Sequence, residues 1–158
     1  EIPGHWEGDL VLGKNRESAI GTLVERTTRF LIIVPLKKRD STTVRKAFEK
    51  EFRKLPDNLK LSLTYDNGTE MAQHKTFTKN SKVKVYFAHP YSPWERPTNE
   101  NTNGLIRDYF PKGTDFNLVS KKQLKEVQNQ LNERPRKTLE YESPLNTISR
   151  LYMNQNFI

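Results

Sequence analysis

Residues 6–36 read WEGDLVLGKNRESAIGTLVERTTRFLIIVPL. Three runs within them, 6–12, 18–24 and 30–36, are rich in Leu, Ile and Val, and the polar stretches GKNRE and ERTTR separate them. Such runs read as strands. Connections this short permit antiparallel hairpins, whereas parallel neighbours need a crossover of a dozen or more residues. Pro35 has no N–H to give to a ladder, which places it at a sheet edge or a strand end.

Beyond this meander the periodicity changes. Ser41 reads as a helix N-cap, and Val44, Ala47, Phe48, Phe52 and Leu55 follow at spacings of three and four, one face of a helix that Pro56 stops. The opposite face carries Arg45, Lys46, Lys50, Arg53 and Lys54, which fits either a DNA-facing stripe or an ordinary solvated face. Residues 59–65, LKLSLTY, alternate with period two and break at Asp66-Asn67-Gly68, a fourth strand and its end. A short helix is expected within 71–79, and a fifth strand over 83–88, closed by His89-Pro90. A polar loop with Pro93 and Pro97 leads to a helix marked by Asn101, Leu105, Ile106 and Tyr109, which ends before Pro111-Lys112-Gly113. Ser120 with Gln123 forms a capping box ahead of Leu124, Val127 and Leu131, and Ser143-Pro144 opens a further short helix. The order predicts one α/β domain over 1–158, with a mixed five-stranded sheet (three antiparallel strands, then two parallel) flanked by helices.

Composition narrows the chemistry. The 158 residues hold 27 Lys and Arg against 19 Asp and Glu, a net charge of +8, so a polyanion is the natural partner. There is no Cys, which excludes disulfides, thiolate metal sites and a Cys nucleophile, and three scattered His make no zinc motif. No apolar run reaches the roughly 20 residues of a membrane span, and no signal peptide is visible. The sequence opens on Glu1 directly in patterned sequence, as expected of a domain excised from a longer chain.

Three acids then stand out by position. Asp9 lies in the first strand, Asp66 at the end of the fourth, and Glu100 at the start of the helix after the polar loop. Were the first and fourth strands neighbours, Asp9 and Asp66 would face each other and the helix could bring Glu100 to them. Three such carboxylates repel unless hard divalent cations neutralise them, and two such ions about 3.5–4 Å apart serve phosphoryl transfer. Each acid also has an ordinary reading: Asp9 as an exposed strand residue, Asp66 as part of a common turn, Glu100 as a first-turn helix acid.

The stretches Gly4-His5-Trp6-Glu7-Gly8-Asp9, Tyr65-Asp66-Asn67-Gly68, Tyr86-Phe87 through Pro90-Tyr91, and above all residues 98–107 (TNENTNGLIR) and 109–116 (YFPKGTDF) resemble a known family. It is that of the bacterial insertion-sequence-thirty transposases, a branch of the DDE transposases related to retroviral integrases. The resemblance covers nearly the whole chain, with Asn132-Glu133-Arg134-Pro135-Arg136 and Ser143-Pro144 included. Two places depart from the pattern, Glu95-Arg96-Pro97 in place of Gln-Arg-Gly and Thr69-Glu70-Met71 in place of Lys-Glu-Phe.

The resemblance implies a ribonuclease-H-like fold and an Asp, Asp, Glu triad at Asp9, Asp66 and Glu100, catalytic and metal-binding, with two Mg²⁺ or Mn²⁺ ions as cofactors. It implies cleavage of DNA at transposon ends and strand transfer into target DNA, by a dimer or higher assembly. A cytoplasmic, nucleoid-associated protein follows, with its end-recognition region upstream of this core. Arg107, Lys112, Arg96 and Asn101 are the candidate DNA contacts, with Arg134, Arg136 and Lys137 further cations. Glu7, two residues from Asp9 and so on its strand face, competes for that role or supports it, and Asn67 is a second supporting candidate. Trp94 reads as a base-stacking residue or a staple of its loop, and His74 and His89 as structural histidines. The competing functions are a DNA-binding module without chemistry and a ribonuclease-H-like nuclease.

Overall fold

The computed structural model describes residues 2–66, 71–88 and 97–156, the side chains of 97, 99, 100 and 154–156 excepted. The five strands are β1 (His5–Leu12), β2 (Ala19–Glu25), β3 (Leu31–Pro35), β4 (Ser62–Tyr65) and β5 (Lys84–Phe87), in one sheet of order β3-β2-β1-β4-β5. β1, β2 and β3 form the expected antiparallel meander, and β4 and β5 add in parallel. The fourth strand is shorter than the alternation predicts. Asp57–Leu59 forms a single 3-10 turn instead, where the Trp6 indole donates to the Leu59 carbonyl (2.7 Å) and the Leu61 N–H to the Gly4 carbonyl (2.8 Å); the Ser62 N–H, bonded to the same carbonyl, begins the β1–β4 ladder.

The helices are α1 (Ser41–Arg53), α2 (His74–Ser81), α3 (Pro97–Tyr109), α4 (Lys121–Glu133) and α5 (Pro144–Asn156). The N-cap of α1 is Asp40 rather than Ser41: its carboxylate accepts from the Thr43 N–H (2.9 Å) and hydroxyl (2.8 Å), and these bonds hold its pKa below the ordinary value. The capping box of α4 forms as read, with Ser120 and Gln123 bonded in both directions. α5 is a full-length helix rather than a short one; Glu142, just ahead of it, accepts from Thr147 and Arg150 and ties its first turns together.

Strand alternation sorts side chains onto two faces. Trp6, Leu23, Leu63 and Tyr65 meet Phe48 and Phe52 of α1 and Phe77 of α2, with Trp6–Phe52 and Phe52–Phe77 packed edge to face at 5.9 and 5.7 Å. Val11, Ile20, Val24 and Ile33 meet Ile106 of α3 and Leu124 and Leu131 of α4 on the other face. Part of the expected cationic stripe on α1 is internal: Arg45 pairs with the buried Glu49 and reaches Gln73 across to α2.

Pro35 ends β3, and β3 is an edge strand, as its missing donor requires. Glu25 donates to the Phe30 carbonyl (2.8 Å), so Ile32 and Val34 pair toward β2 while Leu31, Ile33 and Pro35 turn their backbone outward. α4 meets that outward row with two side-chain amides. Asn132 accepts from the Leu31 N–H and donates to its carbonyl, both at 2.9 Å, and Gln128 accepts from the Ile33 N–H at 2.9 Å.

Candidate active site

Glu7, Asp9 and Val11 alternate onto the α3 face of β1, opposite Trp6. The parallel register pairs Glu7 with Thr64; Asp9 comes two residues further along β1, and Asp66 two residues beyond Thr64, just past the end of β4. Both acids are half-buried. Between Glu7 and Asp9, Gly8 lets β1 lie close to the side chains of its neighbour: a Cβ there would stand 2.9 Å from the Tyr65 ring and 3.0 Å from Leu63 Cδ1.

α3 carries Glu100 in its first turn and crosses this face, held by polar contacts at three levels. Arg29, at the β2–β3 turn, donates to Thr98. Asn103 Nδ2 donates to Asp9 Oδ2 at 2.9 Å, and its Oδ1 accepts from the Thr22 hydroxyl at 3.4 Å. Arg107 donates to the Leu12 carbonyl at 2.8 Å. Asp9 Oδ1 accepts from the N–H of Leu10 (2.9 Å). Glu100 lies just under one helical turn before Asn103, whose contact therefore fixes the helix over β1 close to where Glu100 enters it.

Glu7 differs from Asp9 in its surroundings. It is fully buried and pairs with Arg26 at 3.3 Å, a link from β1 to the turn after β2. Asn101 is exposed on α3, two residues away from the one that reaches Asp9. Asn103 escapes a reading that favours residues adjacent to each acid, because residues three apart share a helix face and adjacent ones do not. That spacing is the signal the sequence offers for it.

Lys112 is exposed in the turn after α3. The β1–β2 turn comes alongside it, since the Lys14 N–H donates to the Thr114 carbonyl (2.9 Å), and it presents the exposed Lys14 and Arg16. Arg134 and Lys137 are exposed, whereas Arg136 is buried and donates to the Leu131 carbonyl (3.1 Å); burial, then the charges of Arg134 and Arg29, depress its pKa. It is an internal group rather than a phosphate contact. His74 packs edge-on against Phe87 with ring centroids 4.9 Å apart, the structural role expected of it. Arg96, Asn67, Trp94 and His89 lie outside the described residues.

Carboxylate oxygens are the donors that hard divalent cations prefer, and Asp9 on β1 and Asp66 just past β4 are of that type. Among the described residues, no three His, Cys, Asp or Glu gather to hold an ion, and the side chain of Glu100 lies outside them. A cleft between the β3 edge, α1 and α4 is rimmed by Lys50, Lys54, Lys121 and Lys125 and is lined by none of the three acids. No described helix is long and apolar enough to cross a membrane.

Comparison with known proteins bears on the family and the fold. The integrase core domain family matches residues 1–93, a span that includes Asp9 and Asp66. The transposase InsI for insertion sequence element IS30A of Escherichia coli (strain K12) is 52% identical over 93% of this chain and 38% of its own length. The transposase for insertion sequence element IS1086 of Cupriavidus metallidurans is 44% identical over 97% of this chain and 45% of its own length. The chain thus spans less than half the length of these relatives. Among solved structures, the catalytic core domain of BIV integrase superposes with a TM-score of 0.74 at 16% identity, covering 97% of this chain and 98% of that one. A chain of the simian T-cell lymphotropic virus intasome, in complex with PP2A regulatory subunit B56 gamma, superposes with a TM-score of 0.71 at 18% identity, over 91% of this chain and 54% of that one. These likenesses establish the ribonuclease-H-like fold. With the family match over most of the chain and the identity to the insertion-sequence-thirty proteins, the chain belongs to the integrase core domain family, in the branch of the insertion-sequence-thirty transposases.

Proposed function

We propose that residues 1–158 act as one catalytic core that cleaves DNA phosphodiester bonds at transposon ends and joins the freed 3′-hydroxyl to target DNA, with Asp9, Asp66 and Glu100 holding Mg²⁺ or Mn²⁺, two ions per site. The observation that supports this is the parallel pairing of β1 and β4, in which Glu7 is partnered with Thr64, each two residues ahead of an acid, Asp9 and Asp66, while α3, bearing Glu100, packs on β1. Bound divalent ions supply neutralisation of the phosphate charge and activation of the attacking oxygen. In cleavage, a water oxygen bonds to phosphorus as the 3′-oxygen leaves and takes up a proton. In transfer that 3′-hydroxyl, losing a proton, bonds to a target phosphorus and displaces another 3′-oxygen. Both are displacements at phosphorus, so one set of carboxylates serves both.

The surrounding cations fit a DNA substrate. Lys112, with Lys14 and Arg16 on the adjoining turn, offers exposed charge at the end of the sheet toward which β1 runs past Asp9. Contacts of this type fix the register of a duplex without reading its bases. Arg107 spends donors on Leu12 and Phe110 carbonyls, so its part is to shape that end as well as to carry charge. Arg96 and Asn101 are further candidate DNA contacts, and pairing two DNA ends calls for at least a dimer.

The test is to incubate the protein with labelled DNA bearing a transposon end and Mn²⁺, beside an Asp66→Asn variant. Nicked and joined products from the wild type, falling to background in the variant, are the expected result. A wild type that neither nicks nor joins, or a variant that does both, overturns the assignment.

A further inference from the structure

We propose that Arg16, at the tip of the β1–β2 hairpin, reads the minor groove of the DNA on which the carboxylate site acts and gives binding a preference for A·T-rich sequence. The inference rests on the DNA reading above and assigns base selection to a residue outside the acidic triad.

The backbone of this turn is uncommon. The Glu17 N–H donates to the Lys14 carbonyl (3.1 Å), and the two residues between them, Asn15 and Arg16, have φ of 54° and 60°. Two successive positive values make a type I′ turn, whose favoured central pair is Asn-Gly. Asn15 fits, since asparagine tolerates the left-handed region, but Arg16 stands where glycine would sit without strain. The turn is held from three sides. The Gly13 N–H donates to the Ser18 carbonyl (2.7 Å), the Lys14 N–H to the Thr114 carbonyl (2.9 Å), and the Arg39 guanidinium to the Arg16 carbonyl. Strain persists only where the surroundings over-determine it, and such positions cluster at sites that bind. Here the held backbone presents an exposed guanidinium that no carboxylate among the described residues pairs with.

The neighbours of Arg16 decide the mode of contact. Lys14 and Lys112 are exposed beside it and suit phosphates. Backed by the turn from Pro111 to Thr114 and by Arg39, the tip is too broad to enter a minor groove about 6 Å wide, so the side chain alone goes in. An arginine inserted in this way is drawn by the strong negative potential of narrow, A·T-rich grooves. β1 ends at Leu12, three residues past Asp9 and about 10 Å further along the strand, so the groove lies within a few base pairs of the proposed site.

The test measures the affinity of the purified protein for two duplexes of equal length, one carrying an A-tract and one of G·C pairs only, by fluorescence anisotropy at one fixed salt concentration. Urea unfolding of each variant is followed alongside. The wild type is compared with Arg16→Gly and Lys14→Ala. The expected result is a wild-type preference for the A-tract duplex, and loss of that preference in Arg16→Gly together with a raised urea midpoint, since glycine relieves the strained φ. Lys14→Ala should bind both duplexes more weakly and keep the preference, as a phosphate contact reads no bases. Equal binding of the two duplexes by the wild type, or a preference that survives in Arg16→Gly, overturns the proposal and leaves the DNA reading standing. A lowered midpoint in Arg16→Gly makes Arg16 a structural residue and overturns the proposal as well. Binding of neither duplex by the wild type overturns both.

Discussion

The separation of the two strand acids from their neighbours is settled by a residue with no side chain. Gly8 stands between Glu7 and Asp9, and the space a methyl would need is taken by the ring of Tyr65, itself 1% exposed and unable to swing aside. Gly8→Ala is therefore expected to destabilise the protein by about 1–3 kcal/mol, the usual cost of overpacking, in urea unfolding. An unchanged midpoint would show that β1 and β4 have slack. The placement of Asp9 in β1 and of Asp66 after β4 is legible from sequence alone, because a strand-like apolar run and a strand-ending Asp-Asn-Gly are local signals. Asn103 is not. A polar residue in a helix reads as solvent-facing until the strand beneath it is known, and adjacency to Glu100 favours Asn101, which the helix turns by about 100° to another side.

Among the elements, α4 has the least ordinary task. Its Leu124, Val127 and Leu131 announce a buried face, and its capping box announces its start; both are legible. Gln128 and Asn132, one turn apart and both buried, look in sequence like members of the wet face. Their amides instead supply the hydrogen bonds that a neighbouring strand would give to Leu31 and Ile33. No periodicity reports this, since it depends on where the helix crosses an edge strand far back in the chain. Replacing either by Leu keeps the bulk and strands a buried N–H. Gln128→Leu and Asn132→Leu should each cost about 1–3 kcal/mol in denaturant unfolding. Full stability in both variants would mean that water serves the edge equally well. The fourth strand falls short of its alternation for a related reason: the Trp6 indole takes the Leu59 carbonyl and the Gly4 carbonyl takes the Leu61 N–H, and a tertiary contact overrides the local pattern.

At the scale of the whole molecule, a charge of +8 accompanies the acidic site proposed above, and the layout shows how the two can coexist. Asp9 lies on the central strand β1 and Asp66 just past the end of its neighbour β4, and the exposed Lys14, Arg16 and Lys112 gather at one end of the sheet. DNA affinity should accordingly fall steeply with ionic strength. Lys14→Ala with Lys112→Ala should flatten the slope of log affinity against log salt by about 0.9 for each phosphate that the variant no longer neutralises. A slope identical to the wild type would move the DNA elsewhere. The plugging of the β3 edge has a further consequence for a sheet protein of this kind. A chain of copies that grows by strand addition needs two open ends on every unit, as a polymer needs bifunctional monomers. With Leu31 and Ile33 capped and Pro35 lacking a donor, each molecule has a valence of at most one, through β5. Edge-to-edge pairing of its sheets can close a pair but cannot propagate a fibre.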